Sequence, residues 1–352
     1  VLKLRRGTVV ALEPLTVKAG AERRRAWADR GLVGEIEVGD DVVVNVEALD
    51  LGLGSGGFDV VHVNLTRGLD STPATGDHVM KLNYTSLQHS IEPVEASEDE
   101  PERTLPVLVI PLHGHLAPAA WAAAEARGGL RVGYVQTPGG ALPGSFSRDV
   151  AELRQRRLLA GHVTAGASYG GEHDAVSVIG ALDAAARRLG WDAVIAGPGP
   201  GMLGSATRYG HGGMAALDTA HAALALGLPT LASPRLSSSD PRARHRGLSH
   251  HTSALLGLVL GTVRVPVPEA ALEGWPLLDE GAPEGGSAQA ALDSLIEVCA
   301  DHHDIAVTTV DLDGYAESGL PATTMGRPIA EDPLFFAAAL AAGRALAEAA
   351  PE

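Results

Sequence analysis

In the run RARHRGLSHHTS (residues 242–253), Arg242, Arg244 and Arg246 alternate with Ala243 and His245, and His250 and His251 follow. Guanidinium groups are planar forks for carboxylate or phosphate, and imidazole gains or loses a proton near neutral pH. The run therefore combines the two parts of anion chemistry, holding a charge and moving a proton. Upstream, GPGPGMLGSATRYGHGG (197–213) places Arg208 and His211 in a glycine-rich loop. Glycine lets backbone N–H groups approach a ligand, so Gly199, Gly201 and Gly204 are candidate anion contacts. Their GxGxxG-like spacing does not make a dinucleotide fingerprint, because the loop comes fourth in the strand order and too many residues precede its helix. Simpler readings stand beside these: a loop packed by its own glycines, and a solvated arginine loop paired with carboxylates such as Asp240.

Ser249 is placed to cap a helix starting near Thr252, which puts His250 and His251 in its first turn, where the helix dipole favours neutral rings. Arg235 joins the other arginines as a candidate anion ligand, with Ser249 and His250 beside it. In SYGGEHD (168–174), Glu172 and His173 are adjacent and suited to acid/base work; alternatively, Asp174 caps a helix and the other two are exposed. His113-Gly114-His115 ends an expected strand, where residues two apart share a face and two imidazoles could meet one metal. No HExxH motif or matched carboxylate spacing completes a first shell, so a metal-free site is expected. His221 shares a helical stripe with Met214, Leu217 and Leu224 and reads as a core histidine. Cys299, among Leu295, Ile296 and Val298, reads as a buried thiol, and no GxSxG elbow supports a serine hydrolase.

Two kinds of element must position these residues. Up to about residue 95, the segments GTVVAL, GLVGEIEV, DVVVNVEAL, FDVVHVNL and DHVMKLNY read as short strands joined by Gly/Asp turns. They predict a small all-β barrel or sandwich over 1–95. EASEDEPER, acidic and almost without apolar residues, predicts a linker at 96–104. From 105 to 352, seven apolar strands (LPVLVIPLH, LRVGYVQ, HVTAGAS, DAVIAG, PTLASP, TVRVPVP, IAVTTVDL) alternate with alanine-rich helices. That alternation predicts an α/β, Rossmann-like domain with a mainly parallel, doubly covered sheet, whose ligands bind beyond the strands' carboxyl ends.

With 352 residues the chain is long enough for about two domains, and its 43 glycines have no short period. The formal net charge of −16 argues against a general nucleic-acid binder. The three lysines, Lys3, Lys18 and Lys81, leave the larger part without a Schiff-base or Walker lysine. One cysteine excludes an internal disulfide framework. The sequence shows neither a secretory signal nor 18 consecutive apolar residues, so a cytoplasmic protein without membrane partner is expected. The start at Val1 leaves a processed leader open.

GPGPGMLGSATRYGHGG, LGLPTLASPRLSSSDPRARHRGLSHHT and the GDDVVVN strand together resemble a bacterial family common in actinobacteria, domain-of-unknown-function family 3866. That resemblance spans nearly the whole chain and implies no activity, cofactor or catalytic residue. Ala196-Gly197-Pro198 followed by Arg208-Tyr209-Gly210 and Gly213 is similar to a strand-loop segment of the glycine, sarcosine and betaine reductase proteins, which implies an anion-binding use of the loop.

The resulting expectation is a metal-independent enzyme, acting by group transfer or hydrolysis on a small phosphate- or carboxylate-bearing metabolite. Arg208, Arg244 and Arg246 hold the anion, and His211, His245 or the Glu172–His173 pair move protons. The alternative is a non-enzymatic metabolite sensor or assembly protein. In either case the chain is expected to form a homo-oligomer, and no cofactor is identified.

Overall fold

A computed structural model describes residues 1–52, 56–69, 78–95, 97, 103–205, 207–269, 287–300 and 302–351. The chain divides into two compact units, Val1–Glu92 and Pro93–Glu352.

The first unit is a closed five-stranded barrel of β1 (Leu4–Leu12), β2 (Leu15–Ala19), β3 (Glu22–Trp27), β4 (Asp41–Asn45) and β5 (Asp59–Asn64), in the order β1-β2-β3-β5-β4. Alternating Val9, Val17, Val42, Val44 and Val61 point inward and form its core. The antiparallel β1–β4 pairing closes the barrel and matches Gly7 with Val42. A Cβ on Gly7 would sit 2.6 Å from the Lys18 carbonyl oxygen, so only glycine fits there. A separate hairpin, β6 (Val79–Lys81) and β7 (His89–Ile91), ends the unit.

Two sequence expectations change here. GLVGEIEV forms no strand: it begins with a short helix, α1 (Arg30–Val33), capped when the Asp29 carboxylate accepts from the Gly31 N–H at 3.0 Å. ERRRAW, by contrast, is strand β3; its run of charged residues, with Arg24 held by Asp50 and the buried Asp59, gives no apolar alternation to read. Glu47–Asp50 forms a further short helix, α2.

The second unit holds eight parallel strands: β8 (Val107–Val109), β9 (Val132–Thr137), β10 (Gly161–Ala165), β11 (His173–Ala175), β12 (Ala193–Pro198), β13 (Thr230–Ala232), β16 (Arg264–Pro268) and β17 (Asp304–Thr308). Their order is β11-β10-β9-β12-β8-β13-β16-β17. Two short strands, β14 (Leu236–Ser237) and β15 (Gly247–Leu248), pair within the loop after β13. The helices are α3 (Leu116–Ala126), α4 (Arg148–Gln155), α5 (Val178–Arg187), α6 (Ala215–Ala225), α7 (His250–Leu258), α8 (Ala288–Cys299), α9 (Leu312–Glu317) and α10 (Pro333–Ala349). The sheet is covered on both faces, because neighbouring strand residues alternate between two cores. Val107 and Val109 pack with α5, α6, α7 and α8, while Leu108 and Ile110 pack with α3, α4, α9 and α10.

The segment HDA is an edge strand rather than the start of a helix. Asp174 is therefore not the cap of α5, which is Ser177, whose hydroxyl accepts from the Gly180 N–H. Residues 93–95, assigned by sequence to the barrel, belong to the second unit. Val94 is buried there and donates to the Asp174 carbonyl, and Glu95 accepts from the Val176 N–H at 2.7 Å. Most of the linker expected at 96–104 lies outside the described residues. Trp191 lies flat over Gly133 and Gly161, which are paired in register; a Cβ at either would collide with its ring. Cys299 is buried, and burial pushes its thiol up to about 11. Among the described residues, no helix is long and apolar enough to cross a membrane.

Helix α10 approaches α3 closely at Gly343, where a Cβ would lie 2.0 Å from the Ala119 carbonyl oxygen. Gly343→Ala should therefore destabilise the protein by about 2 kcal/mol or more through overpacking against backbone. Gly257→Ala, in the exposed part of α7 with open space around it, should stabilise by about 0.5–1 kcal/mol. Urea-unfolding midpoints of the two variants measure both effects, and a tolerated Gly343→Ala would remove the tight α3–α10 contact.

Candidate functional site

Adjacent strands β8 and β12 send their following helices to opposite faces, α3 onto the Leu108 side and α6 onto the Val107 side. In α/β sheets such a reversal is where ligands bind, beyond the carboxyl edge of the strands. β13 lies on the other side of β8, so the loops after β12 and β13 start two strand spacings apart, about 10 Å.

The loop after β12 folds back on itself. The Ser205 N–H donates to the Gly210 carbonyl at 2.7 Å and the Gly212 N–H to the Leu203 carbonyl at 2.8 Å, returning His211 to the sheet edge. Glycines seat this loop on the one after β9. A Cβ on Gly212 would fall 1.6 Å from the Gly139 oxygen, and one on Gly140 would fall 2.2 Å from the Gly199 oxygen. The side of Gly199 where a Cβ would stand is filled by the Ala141 carbonyl and the Gln136 side chain, so glycine there serves loop packing. Gly201 adopts a φ of +70°, and Gly204 pairs with His211 in a β-bridge.

The loop after β13 is pinned at its base. The Arg235 N–H donates to Thr252 Oγ1 at 2.8 Å, and the Ser249 N–H to the Arg235 carbonyl at 3.0 Å. Ser249 caps α7, its hydroxyl accepting from the His251 N–H, as the sequence predicted; the helix starts at His250. Asp240, fully buried, accepts from Arg242 at 2.9 and 2.8 Å and from Arg235 at 3.3 Å, with Arg327 at 3.5 Å. Asp332, also buried, receives Arg327 and the Ser237 hydroxyl. Burial opposes the charge on Asp240, but the Arg242 donors outweigh it and hold the carboxyl below its ordinary range. Burial pulls the Arg235 guanidinium down to about 10, and Asp240 opposes that shift.

The two loops meet in a histidine cluster. His211 and His251 stack with centroids 3.7 Å apart, and His250 lies 5.0 Å from His211 and 4.4 Å from His251. His245 is 4.9 Å from His250 and 4.8 Å from His251, and its Nδ1 is 2.7 Å from the Ser249 hydroxyl. Burial, and then positive neighbours including Arg235, pushes all four below the usual imidazole range, His245 to about 3 and His251 to about 2. These rings are therefore neutral at pH 7.

The other candidates are placed as follows. Arg235 and Arg246 each have an Nε that is buried and, among the described residues, finds no hydrogen-bond partner. Arg244 is exposed and acts on His211 and His250 through its charge. Arg208 is exposed and stacks over the Tyr209 ring at 5.0 Å, while its carbonyl meets His211 Nε2 at 3.1 Å. Glu172 is exposed and paired with Arg154 at 2.7 Å, and His173 is exposed on edge strand β11. His221 Nε2 accepts from the Leu260 N–H, a structural role.

His113-Gly114-His115 forms a 3₁₀ turn, not a strand end, and its rings go to different partners. His115 Nδ1 meets Ser233 Oγ at 2.8 Å and His113 Nε2 meets Ser147 Oγ at 2.8 Å. Tyr134 and His162, which sequence reasoning passed over, stack beside His113 at 5.2 Å. This group lacks a nucleophile relay. Asp149 lies 3.8 Å from the same His113 nitrogen that faces Ser147, and the Ser147 hydroxyl caps α4. His251 was also missed as a site residue, although it stood inside the basic run.

The family model described as a protein of unknown function (DUF3866) matches residues 25–343. The chain belongs to that family. No curated protein and no solved structure matches it. The match runs from strand β3 of the barrel to α10, so both loops of the histidine cluster lie within the DUF3866 region.

Asp240→Asn should destabilise the protein by about 3 kcal/mol at pH 7, because it leaves buried guanidinium charge uncompensated. The folded carboxyl titrates below its unfolded value near 3.9, so the contribution is complete above about pH 4 and is lost as pH falls through the folded pKa. Guanidinium melts of both proteins at pH 7 and pH 3 should show the gap narrowing at pH 3; a constant gap would mean that the charge on Asp240 is not what stabilises the loop.

Proposed function

We propose that this protein is an enzyme that binds a small phosphate- or carboxylate-bearing molecule at the carboxyl edge of the parallel sheet and carries out hydrolysis or group transfer on it. The observation that carries this reading is the pair of buried guanidinium N–H groups, Arg235 Nε and Arg246 Nε, without an acceptor among the described residues, on the loop that supplies His245, His250 and His251. A buried donor left without a partner is costly, and an anionic oxygen satisfies it with a charge-assisted bond. Arg244, exposed at the same loop, adds attraction without being sequestered by a carboxylate in the way Arg242 is. His245 is our candidate to move a proton: its Nδ1 lies 2.7 Å from Ser249 Oγ, which sets the ring orientation. The glycine packing between the loops after β9 and β12 supplies a rigid wall.

Titration calorimetry with inorganic phosphate tests the anion half. Arg246→Ala should weaken binding tenfold or more, in line with about 2–5 kcal/mol for truncating a buried charge contact. Arg264→Ala, exposed at the amino edge of the sheet, should leave it unchanged. Equal affinity in wild type and Arg246→Ala, or no binding by wild type, would sink the anion site. The catalytic half is read with a panel of phosphate monoesters and anionic acyl esters, where His245→Gln should lower kcat by about 10²-fold or more with little change in KM.

A further inference from the structure

We infer that His211, His250 and His251 bind one divalent transition-metal ion of the zinc class. Each offers one ring nitrogen, and these nitrogens lie within 4.8 Å of one another. The inference deepens the proposed site but does not require catalysis.

Three observations carry it. First, His211 Nδ1, His250 Nε2 and His251 Nδ1 are buried and find no hydrogen-bond partner among the described residues. His211 and His251 are only 8% and 7% exposed, so bulk solvent is largely kept from them. Three buried nitrogens without partners are costly, and because each ring offers a nitrogen within 4.8 Å of the others, a single ion would hold all three rings. Second, the tautomer of His211 is decided by its other nitrogen. Nε2 faces the Arg208 carbonyl at 3.1 Å; a carbonyl only accepts, so Nε2 carries the proton and Nδ1 presents a lone pair to the cluster. Third, the backbone leaves room. A Cβ on Gly213 would stand 3.0 Å from His211 Nδ1 and 3.1 Å from His251 Nδ1, so the absence of a side chain opens the space these two nitrogens share.

Imidazole nitrogens select zinc, cobalt, nickel or copper over magnesium and calcium, which prefer oxygen. Zn–N bonds of about 2.0–2.1 Å set the nitrogens roughly 3.3 Å apart, so the stacked His211 and His251 rings splay as their lone pairs converge on the ion. Three protein ligands leave a fourth position open. The ion adds positive charge beside Arg235 and Arg244, and an anion at that fourth position balances it. This joins the metal to the anion chemistry of the same loop and departs from the metal-free expectation, which rested on contiguous motifs.

The test uses the full chain, stripped with a chelator and titrated with Co²⁺. One equivalent should bind and give the visible d–d bands of a four-coordinate nitrogen site, and Zn²⁺ should displace it. His211→Ala combined with His251→Ala should abolish the bands, and Gly213→Ala should weaken cobalt binding at least tenfold. His173→Ala, at an exposed histidine on β11, should leave them intact. Because the stripped wild type is itself the assay, a variant that fails to fold cannot rescue the idea: wild type without an equivalent of cobalt, or with bands indifferent to the double substitution, overturns the site. Added phosphate should shift the bands, and a spectrum unmoved by phosphate overturns the assignment of the fourth position. Cobalt binding is read without substrate, so its failure leaves the calorimetric anion result standing, and the reverse also holds.

Discussion

The buried carboxylates Asp240 and Asp332 are the fixed points on which the site depends. Three arginines, Arg235 and Arg242 from the loop after β13 and Arg327 from far along the chain, converge on Asp240, and Arg327 continues to Asp332, which also holds Ser237 and Ser238. A buried carboxylate is tolerable only when paired and hydrogen-bonded, so these contacts specify one arrangement of the loop after β13. With that loop fixed, the short β14–β15 pairing forms, Ser249 reaches the start of α7, and His245, His250 and His251 are brought together. Part of the positive charge around the basic run is thus structural: Arg242 and one end of Arg235 are taken up by Asp240, leaving Arg235 Nε, Arg244 and Arg246 facing other tasks.

The partner loop is positioned by a different kind of force. Gly139, Gly140, Gly199 and Gly212 pack backbone against backbone at separations that no side chain would permit. Backbone contact of this kind is rigid, because its only soft degrees of freedom are φ and ψ. It delivers His211 to the face of His251, and the Arg208 carbonyl then fixes its ring. One loop is held by ion pairs and the other by glycine packing, and the site is where they meet.

A protein with a net charge of −16 concentrates arginine and histidine at one edge of its parallel sheet. Burial and the neighbouring guanidinium groups keep the imidazoles neutral, which is the state in which a ring nitrogen can accept a proton or ligate a cation. Unsatisfied nitrogens and guanidinium N–H groups in the same region are polar groups of opposite demand: the first seek an electrophile, the second an anion. A cation with an anionic ligand meets both demands together, and neither alone does.

What the sequence determined by itself was local. Apolar runs alternating with alanine-rich stretches gave the parallel α/β unit, valine alternation gave the barrel, and Ser249 announced the start of α7, because strand period, helix period and capping depend on neighbours a few residues away. The basic run and the glycine loop were visible as concentrations of chemistry, and both do border the histidine cluster. Hidden from the sequence were β3, whose run of charged residues masks its period, and β11, a three-residue edge strand too short to show one. The turn at His113–His115 was also misread and the packing around Gly199 was not legible, since a turn and a backbone contact depend on what lies opposite. Only the tertiary structure decided that His211 meets His250 and His251, because β8 lies between the strands that lead into their loops and strand order is not encoded in periodicity. It alone decided which ring nitrogens lack partners, since that depends on burial and on the Arg208 carbonyl, contacts that local sequence spacing does not reveal.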